Sequence, residues 1–531
     1  MPISRSRRIW LALLLAAMPA SAFAVEAVVR EVDVDVDARQ PGPTVHRWVF
    51  GQFAEFVGNV INDGLWVGED SPIPNTRGWR NDILAALRDL HVPLVRWPGG
   101  CYADVYRWRD GIGPRAERPR RINVLWGGGI ETNSVGTHEF FDFLELIGAE
   151  AYINGNIGSG TPQEMADWLE YMTGDRDSTL VRERQRNGRE HPWKVAMFGI
   201  GNETWACGGN MRPEYSADLH KRYRTFLYTP PYATFFDPKP ENPMLFVASG
   251  GNGDDYNFTK VMMASAGAQM DALTLHYYTT PRGIMGNFGP AIGFAENEWA
   301  STLKTALRIE ELVSKHSAVM DETDPTKRVG LFVDEWGTWY DPTPGRNPAF
   351  LFQQNTLRDA VVAALYLNTF QRHAERVRMS SVAQVVNVLQ APILTDKEKM
   401  VLTPTYYVFR MYVPFHDAQL LSAGTSKAEY RFDKTVLPAV DVVAARAKNG
   451  KVYLALVNLD PNRPAKVRAT ISGIAAKRAT GETLTGRQLD AHNDFDGRIN
   501  VKPKAVSASV SAGKVVIDLP SKSVTVVEIA E

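Results

Sequence analysis

From Trp48 onward, short apolar runs alternate with stretches whose apolar residues recur at helical spacing. Eight runs can be counted: Trp48–Phe53, Leu94–Trp97, Ala151–Asn154, Val195–Ile200, Leu245–Ala248, Ala272–His276, Val329–Val333 and Val382–Val388. Each ends in a polar or glycine-rich loop. Continuous apolar runs separated by helices are the signature of parallel strands covered on both faces, and eight such units predict a closed (β/α)8 barrel. Helices are expected between the runs, for example at Asn81–Leu90 and Asn355–Arg376, the second with a stripe of Leu357, Val361, Ala364, Leu365 and Leu367.

Outside this region the period changes. Val28–Val36 (VVREVDVDV) alternates valine with charge, as a strand with one wet face does. Beyond about Tyr412, Ala444–Leu459 reads as two strands joined at Asn449-Gly450, a strong hairpin signal, and Lys466–Ile471 and Val515–Ile529 continue the alternation. An antiparallel β-sandwich is therefore expected after the barrel. The early strand needs partners that a closed barrel does not offer, so it is expected to join the sandwich. The predicted division is residues 1–24 as a signal peptide, 25–46 as the N-terminal strand, 47–412 as the barrel and 413–531 as the sandwich.

The signal-peptide expectation comes from Arg5, Arg7 and Arg8 before the apolar run Ile9–Ala17, followed by Ala22-Phe23-Ala24. It predicts cleavage after about Ala24 and an exported protein, periplasmic or extracellular. The apolar run is too short to span a bilayer, and no membrane partner is expected. Cys101 and Cys207 are the two cysteines, too few for a disulfide scaffold; whether they pair is left open by the sequence. A formal net charge of −1 gives no sign of a nucleic-acid partner and fits a neutral substrate.

In a barrel of this type the active site forms at the carboxyl ends of the strands. The fourth run delivers Asn202-Glu203 and the seventh delivers Asp334-Glu335-Trp336. Two carboxylates at strand mouths are what a glycosidase needs, one to protonate the leaving oxygen and one to attack the anomeric carbon. Asp334 and Glu335 compete for the second role, since neighbours in a strand point to opposite sides. Arg96 follows an apolar run and is expected to orient a carboxylate. Trp108, Trp336 and Trp339 are candidates for stacking against a sugar face, with core packing as the alternative for each. His138 and His276 also lie near strand ends. No metal-ligand motif appears and no cofactor is expected; Gly127-Gly128-Gly129 reads as a flexible turn.

The sequence resembles the α-L-arabinofuranosidases of glycoside hydrolase family 51 across nearly all of the chain after residue 24. The resemblance rests on Phe50–Glu55 (FGQFAE), Arg96–Cys101 (RWPGGC), Trp108–Pro114 (WRDGIGP), Gly136–Phe140 (GTHEF), Gly199–Glu203 (GIGNE) and Asp334–Trp336 (DEW). It implies a retaining, exo-acting hydrolase of arabinose-containing oligo- or polysaccharides, with Glu203 as general acid/base and Glu335 as nucleophile. It further implies that Glu55, Asn202, Tyr278 and Gln384 hold the furanose hydroxyls, with Tyr277 as the alternative to Tyr278. A homo-oligomer, hexameric among relatives, is also implied. Cys101 departs from the asparagine found in other branches after Pro-Gly-Gly, which makes it a pocket wall or a disulfide partner. Two other readings remain: another retaining barrel glycosidase of endoglucanase or xylosidase type, and a non-catalytic carbohydrate-binding protein.

Overall fold

Gly51–Phe53, Leu94–Trp97 and Val195–Ile200 are buried at every position. Segments with no wet face are stable only as strands covered on both sides. The computed structural model, which describes residues 29–230, 232, 243–283 and 288–531, places them in a closed parallel barrel. Strands one to eight are Gly51–Phe53, Leu94–Trp97, Glu150–Gly155, Val195–Ile200, Leu245–Ala248, Ala272–Thr279, Gly330–Thr338 and Val377–Val382. They follow chain order, and strand eight closes on strand one through Ser381–Gly51 and Val382–Gln52. The expected barrel is thus the observed one.

Two strands lie elsewhere than expected. Residues Arg47–Phe50 form a 3-10 turn, begun by the His46 ring accepting the Trp48 N–H at 3.2 Å, so strand one starts only at Gly51. Strand eight precedes the apolar run Val382–Val388. Its own sequence is interrupted by serines, which hid it, but these are satisfied inside the barrel: Ser381 Oγ donates to the Asp334 carbonyl at 2.7 Å. Val385, Val386 and Val388 are buried as part of the loop beyond the strand.

Ten further strands share one hydrogen-bonded order, in which Arg30–Asp37 lies between Gln419–Thr425 and Ala465–Ser472. Val32, Val34 and Val36 face the same core as Leu454, Leu456, Val467, Ile517 and Val527, so the sheet is folded into two layers with one interior. The pairing of Arg30–Asp37 with Ala465–Ser472 is parallel, an exception to the antiparallel rule expected for this region. Asn449-Gly450 joins Val440–Arg446 to Val452–Asn458, with Gly450 at φ 81° as a tight turn of this kind demands.

The sandwich is fixed to the barrel through the helix Leu357–Arg372, which Thr356 and Asp359 open with a capping box. This helix is buried along all its length except Arg372. Val443, Ala445, Tyr453, Ala455, Val457 and Val526, on the outer face of the sandwich, belong to the same apolar core as the helix. Asn368 and Arg372 both donate to Asp441, at 2.6 and 3.0 Å. Truncation after Tyr412 is therefore expected to expose a wide apolar face and give aggregated protein by light scattering. A soluble, folded and fully active fragment would show the two parts to be independent.

Among the described residues no helix is long and apolar enough to cross a membrane. Residues 1–24, where the signal peptide was expected, lie outside the described residues.

Candidate active site

Polar residues at the carboxyl ends of strands four and seven converge on Arg96 of strand two. Its guanidinium is buried on strand two, lies 4.5 Å over the Phe53 ring, and divides its donors among three partners. Nη1 donates to Glu335 Oε1 at 2.8 Å, Nη2 to Asn202 Oδ1 at 2.7 Å, and Nε lies 3.2 Å from Asp334 Oδ2. Burial alone would depress its pKa; the Asp334 and Glu335 carboxylates more than offset this and raise it. One planar cation therefore orients both acids of strand seven and the amide beside Glu203.

His276, on strand six, makes the second set of links. Its Nδ1–H donates to Glu203 Oε1 at 2.9 Å and its Nε2–H to Asp334 Oδ1 at 3.1 Å, and Nδ1 lies 3.5 Å from Glu335 Oε2. Burial disfavours the charged ring, but the surrounding carboxylates of Glu335, Asp334 and Glu203 hold its pKa up to about 10. The imidazolium is thus the neutral-pH form, and both ring N–H groups are donors.

Asp334 and Glu335 do not simply alternate. Strand seven carries an irregularity against both neighbours, between Val333 and Trp336 on the strand-eight side, so both carboxyls reach Arg96 and His276. Their surroundings differ. Asp334 is fully buried, also accepts from Tyr152 Oη at 3.0 Å, and has its pKa lowered because Arg96 and His276 outweigh burial. Glu335 keeps 8% of its side chain accessible and accepts from Tyr278 Oη at 3.1 Å. Tyr277, the alternative to Tyr278, points away and donates to the Thr305 carbonyl.

Glu203 is 15% accessible, and its pKa is raised by burial and by the nearby Glu335 charge against the hydrogen bond from His276. One oxygen of Glu203, one of Glu335 and a ring nitrogen of His276 lie within 4.8 Å of one another. The other Glu203 oxygen packs on sulfur: Cys101 and Cys207 form a disulfide whose Sγ atoms lie 3.9 and 3.6 Å from Oε2. The pairing question left by the sequence is resolved: Cys101 is a disulfide partner, and its sulfur packs on Glu203.

Glu55, at the end of strand one, is buried beside this pair. It accepts from the Tyr102 backbone N–H, from Trp126 Nε1 and from Gln384 Nε2, at 3.0, 3.1 and 3.0 Å. Burial, then the Glu335 charge, push its carboxyl up to about 7. Gln384 Oε1 is buried and has no hydrogen-bond partner among the described residues. The backbone of Gly99 and Gly100 passes close to the acids. A Cβ on Gly99 would sit 2.8 Å from Glu55 Cγ, and one on Gly100 would collide with Glu335 Oε1.

The aromatic candidates separate. Trp339 packs edge-on against Tyr278, with ring centroids 5.2 Å apart, and so stands beside the acids. Trp108 is not brought to them: it is buried, donates to the Glu164 carbonyl at 2.9 Å and contacts Tyr171. Trp336 is fully buried against Tyr366, Phe370 and Phe409 and is a core residue. His138 pairs with Tyr171 Oη on the helix Thr137–Ile147 and is likewise outside the site. Sequence reasoning missed Trp126. It sits on the hairpin formed by Arg121–Ile122 and Ile130–Glu131, where the three glycines beside it were read as a flexible turn.

These features agree with what the chain is similar to. Residues 86–289 match the family described as alpha-L-arabinofuranosidase 1 domain, and residues 334–523 the alpha-L-arabinofuranosidase C-terminal domain. A Bacteroides ovatus protein named intracellular exo-alpha-L-arabinofuranosidase is 44% identical over 94% of this chain and 96% of its own length. The crystal structure of a family 51 arabinofuranosidase from Xanthomonas axonopodis pv. citri superposes with a TM-score of 0.91 at 49% identity, covering 94% of this chain and all of that one. An arabinose complex of the Thermotoga maritima α-L-arabinofuranosidase gives 0.82 at 28% identity, with 94% and 99% covered. The Bacteroides relative also corrects the expectation of export: a protein this similar over nearly its full length bears the name intracellular, and the assignment to periplasm or medium is withdrawn. By fold, by the order of its site residues and by these matches, the chain belongs to the α-L-arabinofuranosidases of glycoside hydrolase family 51.

Proposed function

We propose that the protein is a retaining, exo-acting α-L-arabinofuranosidase in which Glu203 is the general acid/base and Glu335 the nucleophile. The observation that carries this reading is the close approach of the two carboxyls, with oxygens inside 4.8 Å. Retaining enzymes place them roughly 5–5.5 Å apart, and inverting enzymes need about 6.5–9.5 Å for an intervening water. Their environments also divide the roles. Glu203 has its pKa raised by burial and suits proton donation, whereas Glu335 takes a hydrogen bond from the Arg96 guanidinium that aims its carboxyl.

Glu55, Asn202, Tyr278 and Gln384 surround this pair as hydroxyl-binding groups for a five-membered sugar. Gln384 Oε1 is a buried acceptor ready for a hydroxyl donor. Trp126 holds Glu55 in place and Trp339 forms a wall beside Tyr278. The substrate class is an arabinose-containing oligo- or polysaccharide bearing terminal arabinofuranosyl groups. A homo-oligomer remains part of this reading, checked by light scattering on the purified protein.

A panel of aryl glycosides tests the proposal. The α-L-arabinofuranoside is expected to be cleaved at least about 10²-fold faster, in kcat/KM, than the β-D-xylopyranoside or β-D-glucopyranoside, because polar groups placed for one set of hydroxyls are left unpaired by another. Equal or faster cleavage of the glucoside would overturn it.

A further inference from the structure

Glu203 has φ 39°, in the left-handed region, which costs a residue with a side chain about 1–2 kcal/mol. The surrounding chain must impose this conformation. Downstream, the Ala206 and Gly208 N–H groups donate to the Glu203 carbonyl at 2.7 and 3.1 Å, and Cys207 is tied by its disulfide to Cys101. Upstream, the fixing group is Asp104, at the end of the short turn Cys101–Asp104. Its Oδ2 accepts the Asn202 N–H at 2.9 Å, and its Oδ1 accepts the N–H groups of Ile157 and Gly158, each at 2.8 Å.

Asp104 is 2% exposed, and its oxygens are taken by three backbone N–H groups rather than by a cation. Burial pushes its carboxyl up to about 7, against these hydrogen bonds. A carboxylate kept in such a place is costly unless the bonds it makes are needed. Those bonds join the turn after strand two to the ends of strands three and four. The same turn carries Cys101, so Glu203 is bracketed by Asp104 one residue before it and by the disulfide four residues after it.

We propose that Asp104 is a positioning residue for the general acid/base: by holding the Asn202 N–H to the turn Cys101–Asp104 it fixes the backbone of Glu203 and aims its carboxyl at the leaving-group oxygen. This inference rests on the arabinofuranosidase reading. Asp104 acts through Asn202 and Glu203, and its loss should impair protonation of the leaving group more than formation of the sugar–enzyme bond.

The test compares D104N with the unaltered protein on two substrates. One is 2,4-dinitrophenyl α-L-arabinofuranoside, whose leaving group needs no proton; the other is an arabino-oligosaccharide, whose leaving sugar alcohol does. Asparagine matches aspartate in size but turns an N–H₂ toward one of the backbone donors. The expected result is a loss in kcat/KM of about 10²-fold on the oligosaccharide and within about threefold on the activated substrate. Equal loss on both, as from general loosening of the site, overturns the proposal, and so does no loss on either. If circular dichroism shows D104N unfolded, Asp104→Ser, which keeps an acceptor oxygen and admits water, is read by the same split. An unaltered protein that cleaves neither substrate overturns the arabinofuranosidase reading itself, a failure distinct from that of Asp104.

Discussion

Replacing Glu335 by alanine is expected to lower kcat/KM on the order of 10⁴-fold or more for every leaving group, equivalent to about 5 kcal/mol of transition-state stabilisation. Without that carboxylate no glycosyl-enzyme forms, and the other acid of strand seven cannot take its place, because Asp334 is fully buried among Arg96, His276 and Tyr152. The fold should survive, since Arg96 retains Asp334 and Asn202 as partners. Burial is the main cause of the raised pKa of Glu55 and Glu203, and removing the Glu335 carboxyl takes away only the smaller contribution of its charge. Azide, small enough for the vacated space, should restore part of the activity and give a glycosyl azide of inverted configuration. NMR of that product checks the assignment. A retained azide, or activity within tenfold of the unaltered protein, would place the nucleophile elsewhere.

Glu203→Ala should fail differently. The loss is expected to range from small to about 10⁴-fold as the leaving group worsens from an activated phenol to a sugar alcohol, because only the latter needs a proton. Azide should here give a product of retained configuration, since it replaces water in the second step and needs no base. The pH profile supplies an independent check. The Glu203 pKa is raised, so its acid form persists above the ordinary glutamate range, and kcat/KM should fall as the pH rises through that pKa. In the alanine variant this alkaline limb should disappear. A leaving-group-independent loss with the limb intact would show that another group donates the proton.

The barrel was legible because its strands are buried on both faces, which leaves continuous apolar runs such as Val195–Ile200 that any reader can locate. Glu203, Glu335 and Arg96 stood out for a related reason, as charges placed directly after or within such runs. Strand eight was misplaced where this logic breaks down: its serines are satisfied by neighbouring strands, a fact of tertiary structure, while the more apolar loop beyond it imitates a strand. The aromatic residues were harder. Nothing local distinguishes Trp336, sealed against Phe370, from Trp339 beside Tyr278, because residues three apart on an irregular strand end need not share a side. Trp126 was invisible as a site residue because two-residue strands carry no periodicity. The strand-seven irregularity that lets Asp334 and Glu335 share Arg96 likewise has no sequence signal, since it arises from register with both neighbours.

The strand Arg30–Asp37 is made early in synthesis, yet its partners come last. The Asp33 N–H bonds Ser426, 393 residues further on, and the parallel partner Ala465–Ser472 emerges later still. At roughly 5–20 residues per second the ribosome needs on the order of 20–80 s to deliver Ser426. Until then the apolar-faced strand lacks both partners that it has in the folded sheet. Lone strands of this kind join neighbouring chains unless charge prevents it. Asp33, Asp35 and Asp37, interleaved with the valines, put a row of like charges along one face of the strand, which disfavours edge-to-edge pairing of two copies before the sheet that needs the valines exists.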